Sequence, residues 1–298
     1  MKLLRSMLFV PGNKAEWIEK APKYKADSLV IDLEDAVPEN LKEEGRKITA
    51  ELLPLLKERG QLLYVRINGL DTGHAGKDLE AIVCGDLDGI MVPKLEEPKD
   101  IIALDALLKH FEIKNGLALG HVEIIALIET AKAMKMTYEL CITSSRVVSV
   151  LGGATKGGDI NRALGYEWTK EGKETLYMRS RILLDARAAG ILYPLAGVWS
   201  DIEDLEGLRQ DSIFSKQLGY RGYVVIHPSH VPIVNEVFSI SKEQIEFSQG
   251  LIKALEEAEK SGTSAARYKG DFIDIASVKT ARELLDRAEE FGLLRPKG

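Results

Sequence analysis

Eight short runs of apolar and β-branched residues recur along the chain, at 6–11, 28–32, 62–68, 89–93, 123–129, 147–152, 192–199 and 223–227. Within each run the apolar residues are nearly continuous rather than alternating, the pattern of strands covered on both faces. Between them lie longer stretches with one charged and one apolar face, such as 40–59, 98–111, 173–189 and 204–218, which read as helices. Strand and helix alternating in this way predict an α/β fold, a (β/α)8 TIM barrel of roughly 250 residues. The competing doubly wound open sheet carries a glycine fingerprint after its first strand, where this chain reads VPGNK. After the eighth run the pattern changes: 241–260 is a long charged helix, SGTSAA at 261–266 a small-residue hinge and 278–291 a final helix. The pattern divides the chain into a barrel over 1–240 and a C-terminal helical extension or lid over 241–298, suited to capping a site or packing on a neighbouring subunit.

Barrel enzymes carry their chemistry at the C-terminal ends of the strands. There the second run is followed by Asp32, Glu34 and Asp35, the third ends in Arg66 and Asn68, the fourth in Lys94 and the fifth in Glu129. The sixth runs through GGATKGGD to Asp159, the seventh ends at Trp199, Ser200 and Asp201, and the eighth at His227. Any single carboxylate in such a place has an ordinary alternative as a helix cap or loop anchor. Several converging on one mouth repel each other unless a cation or protons intervene. Oxygen donors without a His or Cys cluster favour a hard ion, Mg²⁺ or in its place Mn²⁺. Arg66 then offers a fixed positive fork to a carboxylate or a developing enolate. The glycine-rich stretch 152–158 lacks the GK[ST] ending of a phosphate loop, and reads as a loop that lets backbone approach a ligand and presents Asp159. His227, His110 and His121 read as structural or solvated.

Charge and composition narrow the class. A net charge of −6 without a Lys/Arg block gives no footing for nucleic acid. Cys84 and Cys141 stand alone in apolar sequence, read as buried free thiols and suit a reducing cytoplasm. The apolar run at 7–10 is too short for a signal or membrane segment, so neither export nor a membrane partner is expected.

The motifs RSMLFVPGN, VIDLEDAVPENLKEEGR, VRINGLDTG, IMVPKLE, IALIETA, GGDINRALG and VVIHPSHV occur in that order over essentially the whole chain. Together they resemble the citrate lyase beta-subunit-like family of the HpcH/HpaI aldolase superfamily, which includes malyl-CoA and citramalyl-CoA lyases. The resemblance implies a Mg²⁺ held by Glu129 and Asp159, with Arg66 facing the thioester oxygen and Asp32, Glu34 and Asp35 holding the metal's waters. It implies that Pro11, Gly12, Asn13 and Lys14 contribute to the coenzyme A side of the pocket. The tail's GDFIDIASVKTA looks like the lid motif of acyl-CoA lyases, and matches Asp274 to an acid or base carried into a neighbouring subunit's site; its other reading is a cap of the final helix. Ala276 and Phe272 depart from that motif's proline and methionine.

The implied activity is retro-Claisen or retro-aldol cleavage of a 3-hydroxyacyl-CoA thioester, such as malyl-, citramalyl- or citryl-CoA, or its reverse, in a homotrimer or hexamer. Two alternatives are a metal-dependent aldolase of free 2-keto-4-hydroxy acids and a citryl-carrier-protein lyase subunit of a citrate lyase complex.

Overall fold

A computed structural model describes residues 4–294, which fall into two compact units, one running to Phe238 and the other starting at Ser239. The first is a closed parallel barrel of β1 (Ser6–Pro11), β2 (Ser28–Asp32), β3 (Leu62–Arg66), β4 (Gly89–Val92), β5 (Glu123–Leu127), β6 (Val147–Gly152), β7 (Leu195–Ala196) and β8 (Gly222–Val225), in sequence order, with β8 pairing back on β1. Helices including Lys42–Glu58, Pro98–Lys114, Leu176–Ala188 and Leu205–Leu218 connect the strands. The expected (β/α)8 fold is therefore observed.

Burial explains the near-continuous apolar runs. Side chains alternate across a strand, and here both directions are buried. Met7, Val30, Tyr64, Met91, Ile125, Leu127, Leu151, Leu195 and Val224 fill the barrel interior. Outward neighbours such as Leu8, Leu29, Ile31, Leu63, Val65, Ile90 and Ile124 form a second cluster under the helices.

The seventh strand is much shorter than the expected 192–199. Leu192 is exposed, and Pro194 has no amide to give a ladder, so pairing is confined to Leu195–Ala196. Trp199 lies beyond it, buried against Trp168 with ring centroids 5.5 Å apart.

The second unit holds the helices Lys242–Lys260 and Ile275–Glu290, joined by a segment that is not simply a hinge. β9 (Ala266–Tyr268) and β10 (Asp271–Ile273) form an antiparallel hairpin around Lys269 and Gly270. Both turn residues have positive φ, 48° and 98°, as a two-residue type I′ turn requires. Tyr268 packs so closely on the first helix that a Cβ at Gly250 would strike its hydroxyl. Among the described residues no helix is long and apolar enough to cross a membrane.

Candidate active site

The polar residues at the barrel mouth continue the inward alternation of the core. Asp32 lies two residues beyond Val30, Arg66 two beyond Tyr64, and Glu129 two beyond Leu127, so each points where the interior opens. They line a cavity of about 400 Å³ together with Phe9, Pro11, Asp35 and Asp159.

Strand register sets the central pair. Asp32 and Arg66 are direct partners in the β2–β3 ladder. The Arg66 fork donates from Nε to Asp32 Oδ1 at 2.8 Å and from Nη2 to Oδ2 at 2.5 Å, while Nη1 lies 3.0 Å from Glu34. The ring of Phe9 lies 4.8 Å from the guanidinium carbon. Burial works against the Arg66 charge, but Asp32, Glu34 and Asp35 outweigh it and hold the group more firmly protonated than an ordinary arginine. Three of its five N–H groups face these carboxylates, leaving two for a ligand.

Glu129 follows β5 immediately before Thr130, which caps the next helix by accepting the Ala133 amide at 2.9 Å. Its Oε1 accepts the backbone amide of Lys94 at 2.8 Å. Burial pushes its carboxyl up to about 7; the Lys94 amide opposes this, and the negative charges of Glu34 and Asp159 add to the rise. Asp159 opens the helix Asp159–Leu164 and pairs with Arg162, a largely exposed side chain. Glu129 and Asp159 thus meet across one cavity, and the charge of Asp159 makes Glu129 harder to ionise.

The carboxylates expected to hold the metal's waters behave differently from one another. Both oxygens of Asp32 serve Arg66 and also accept the amides of Glu34 and Ala36. Glu34 is buried off the cavity lining, bound to Lys94 Nζ at 2.7 Å and to Arg66. Asp35 lines the cavity and is mostly exposed.

Of the segment expected on the coenzyme side, Pro11 lines the cavity, whereas Gly12, Asn13 and Lys14 do not. Gly12 is needed for packing: its amide donates to Asp32 O at 2.8 Å, and a Cβ would meet Leu33 and the Asp32 carbonyl. Pro11, Phe9 and Ile226 also line a second cavity of about 360 Å³ that extends to Trp17, Lys20, Tyr24 and His227.

Gly153 and Gly158, in the loop after β6, line the cavity, and close packing also requires glycine at Gly152 and Gly153. A Cβ at Gly152 would strike the Tyr220 hydroxyl, and one at Gly153 the Gly197 carbonyl. The loop is pinned by Thr155, whose hydroxyl donates to Val198 O and accepts from Val198 N.

Asp274, in the second unit, caps the helix Ile275–Glu290. Its Oδ1 accepts from the Ala276 and Ser277 amides at 3.0 Å and from Ser277 Oγ at 3.1 Å. The Ser277 amide and hydroxyl hold its carboxyl below the usual range.

A buried support under the mouth escaped sequence reasoning. Lys42 donates to Leu33 O, Glu34 O and Asn68 Oδ1 at 2.7–2.8 Å. Asn68 donates twice to Asp78, which also accepts from Arg46 at 3.0 Å. These bonds fix the segment that carries Glu34. The signal lay in one stripe of the first long helix, where Lys42, Gly45, Arg46 and Thr49 recur at helical spacing on the buried face.

Carboxylate oxygens facing one cavity, without His or Cys beside them, fit a small hard cation. Among the described residues no group of three or more His, Cys, Asp or Glu side chains forms a metal cage. A cation here would therefore draw on the Glu129–Asp159 pair and leave positions for water and ligand.

The chain matches the HpcH/HpaI aldolase/citrate lyase family over residues 5–228. It is 33% identical to the citrate lyase subunit beta of Haemophilus influenzae, covering 97% of this chain and 98% of that one. It is 32% identical to the L-malyl-CoA/beta-methylmalyl-CoA lyase of Rhodobacter capsulatus, covering 97% and 95%. Among solved structures, CitE of Mycobacterium tuberculosis in complex with magnesium, acetoacetate and coenzyme A is similar with a TM-score of 0.75 and 28% identity, covering 96% of this chain and 98% of that one. With its barrel and the ordered mouth motifs placed together, this chain belongs to the HpcH/HpaI aldolase/citrate lyase family.

Proposed function

We propose that this protein is a Mg²⁺-dependent carbon–carbon lyase that cleaves, or in reverse forms, a 3-hydroxyacyl-CoA thioester. The observation that carries the reading is Glu129, a partly buried carboxylate pushed up to about 7 that shares one cavity with Asp159 and Arg66. Glu129 and Asp159 would hold the ion, and Mn²⁺ fits the same donors. When bound, the ion supplies a Lewis-acid charge for the hydroxyl and carboxylate at the distal end of the substrate.

The chain's own residues account for the rest. The two uncommitted N–H groups of Arg66 would meet the thioester oxygen where negative charge develops as the carbon–carbon bond breaks, and Asp32 keeps the fork from turning away. The second cavity beyond Pro11 and Phe9 offers a path for the long arm of a coenzyme thioester, which a free keto-hydroxy acid would not need. Asp274 would exchange the proton at the enolate carbon, reaching a neighbouring subunit of a trimer or hexamer on the lid formed by the second unit. The free thiols Cys84 and Cys141 suit a cytoplasmic setting. A second reading rests on the Haemophilus relative, which is named as a subunit: the same site would then serve a carrier-protein thioester inside a complex.

The kinetic test separates the roles. Glu129→Ala abolishes Mg²⁺-dependent turnover, while Asp274→Ala spares metal and thioester binding yet stops enolate proton exchange. Full activity in either variant would sink its assignment.

A further inference from the structure

Beneath the Glu129–Asp159 pair the cavity floor is apolar. Leu127 sits two residues before Glu129 on β5, Leu151 is its register partner on β6, and Val198 follows β7. All three line the cavity and join the barrel's inner apolar cluster, with Phe9 beside them. The charged lining is mostly of one sign: Asp32, Asp35, Glu129 and Asp159 against the guanidinium of Arg66, which already carries Asp32 and Glu34.

A divalent cation offsets two of these negative charges, and the substrate carboxylate next to the hydroxyl takes up the attraction that remains. A second carboxylate, carried on a carboxymethyl substituent of the same carbon, would be pressed onto leucine and valine among like charges, and burying an ion without a partner is costly. A methyl group in that place gains contact with the same side chains.

We infer, resting on the lyase reading above, that the substrate's hydroxyl-bearing carbon carries one carboxylate and a methyl group, with Leu127, Leu151 and Val198 setting that preference. In the cleavage the hydroxyl gives up its proton and its oxygen becomes the carbonyl of a methyl keto acid. The electron pair of the broken carbon–carbon bond passes to the thioester as an enolate, which takes one proton at carbon. Nothing is oxidised or reduced overall.

Citramalyl-CoA and citryl-CoA differ only by methyl against carboxymethyl at this carbon, so they are the probes. With the full chain and Mg²⁺, kcat/KM for citramalyl-CoA exceeds that for citryl-CoA by at least about 100-fold. Equal or faster cleavage of citryl-CoA overturns the inference. Binding of the keto acids gives a readout free of turnover: pyruvate raises Tm in the presence of Mg²⁺ more than freshly dissolved oxaloacetate at equal concentration, and the reverse order also overturns it. If neither thioester is cleaved the lyase reading fails, while the keto-acid comparison still decides what the floor prefers.

Discussion

Lys94 holds Glu129 and Glu34 at once: its backbone amide donates to Glu129 at 2.8 Å and its side chain to Glu34 at 2.7 Å, from a backbone at φ 54°. The left-handed conformation aims that amide at the carboxylate, and any residue with a Cβ is strained there. Both Lys94→Gly and Lys94→Ala keep the amide and lose the side-chain contact to Glu34, but only the glycine variant relieves the strain. The glycine variant is therefore more stable than the alanine variant by about 1 kcal/mol, and binds Mg²⁺ at least as well. Thermal melts and calorimetric Mg²⁺ titration of the two proteins check both statements.

Glu129 makes the metal-free protein sensitive to pH. Its carboxyl is raised from 4.5 to about 7, so between those values the unfolded chain ionises first. Its penalty is absent below about 4.5, grows as pH rises and is complete above about 7, at about 3 kcal/mol. Glu129→Gln removes the penalty, so without metal the variant melts above wild type at pH 8 and close to it at pH 4.5. Mg²⁺ stabilises wild type more at pH 8 than at pH 6, because at the lower pH it must displace the Glu129 proton. A Tm difference between the two proteins that does not change with pH contradicts this.

The Arg66 fork is tied to Asp32 by two bonds that a lysine cannot reproduce. Arg66→Lys lowers kcat by about 100- to 1,000-fold, with Mg²⁺ affinity little changed. Arg66→Met strands the buried Asp32 without a cationic partner, leaving Glu34 only Lys94, and costs about 3–5 kcal/mol of stability. Steady-state kinetics and denaturant unfolding separate the two effects.

Asp274 combines a helix cap with the proposed proton transfer. All three cap bonds go to Oδ1, and an asparagine carbonyl can accept them. Asp274→Asn therefore keeps the stability of the C-terminal unit while Asp274→Ala lowers it by about 1 kcal/mol. If the carboxylate moves the proton, both variants lose deuterium exchange into the acyl-CoA product in D2O, followed by NMR. Exchange that persists in the asparagine variant leaves Asp274 as a cap alone.

How much of this could be read in advance follows from spacing. Asp32, Arg66 and Glu129 continue the two-residue alternation of buried strands, so the strand ends pointed to them directly. Asp159 lies seven residues beyond β6, where no periodicity operates; the GGDINRALG motif located it. The Lys42–Asn68–Asp78–Arg46 network was hidden because charged residues on a helix ordinarily face solvent, and only the fold shows that this face is inward. The β9–β10 hairpin left one signal, Lys-Gly between Tyr268 and Asp271, inside a stretch otherwise read as a hinge and the approach to the final helix. That helix begins at Ile275, three residues before the expected start, because the Asp274 cap captures the intervening amides.

The most direct test of the central claim identifies the products. Purified protein is incubated with citramalyl-CoA and Mg²⁺, and the products are separated by mass spectrometry. Pyruvate and acetyl-CoA in equal amounts, lost on chelation and in Glu129→Ala, are the predicted result. Free coenzyme A with intact citramalate would show thioester hydrolysis without carbon–carbon cleavage, and would contradict the account.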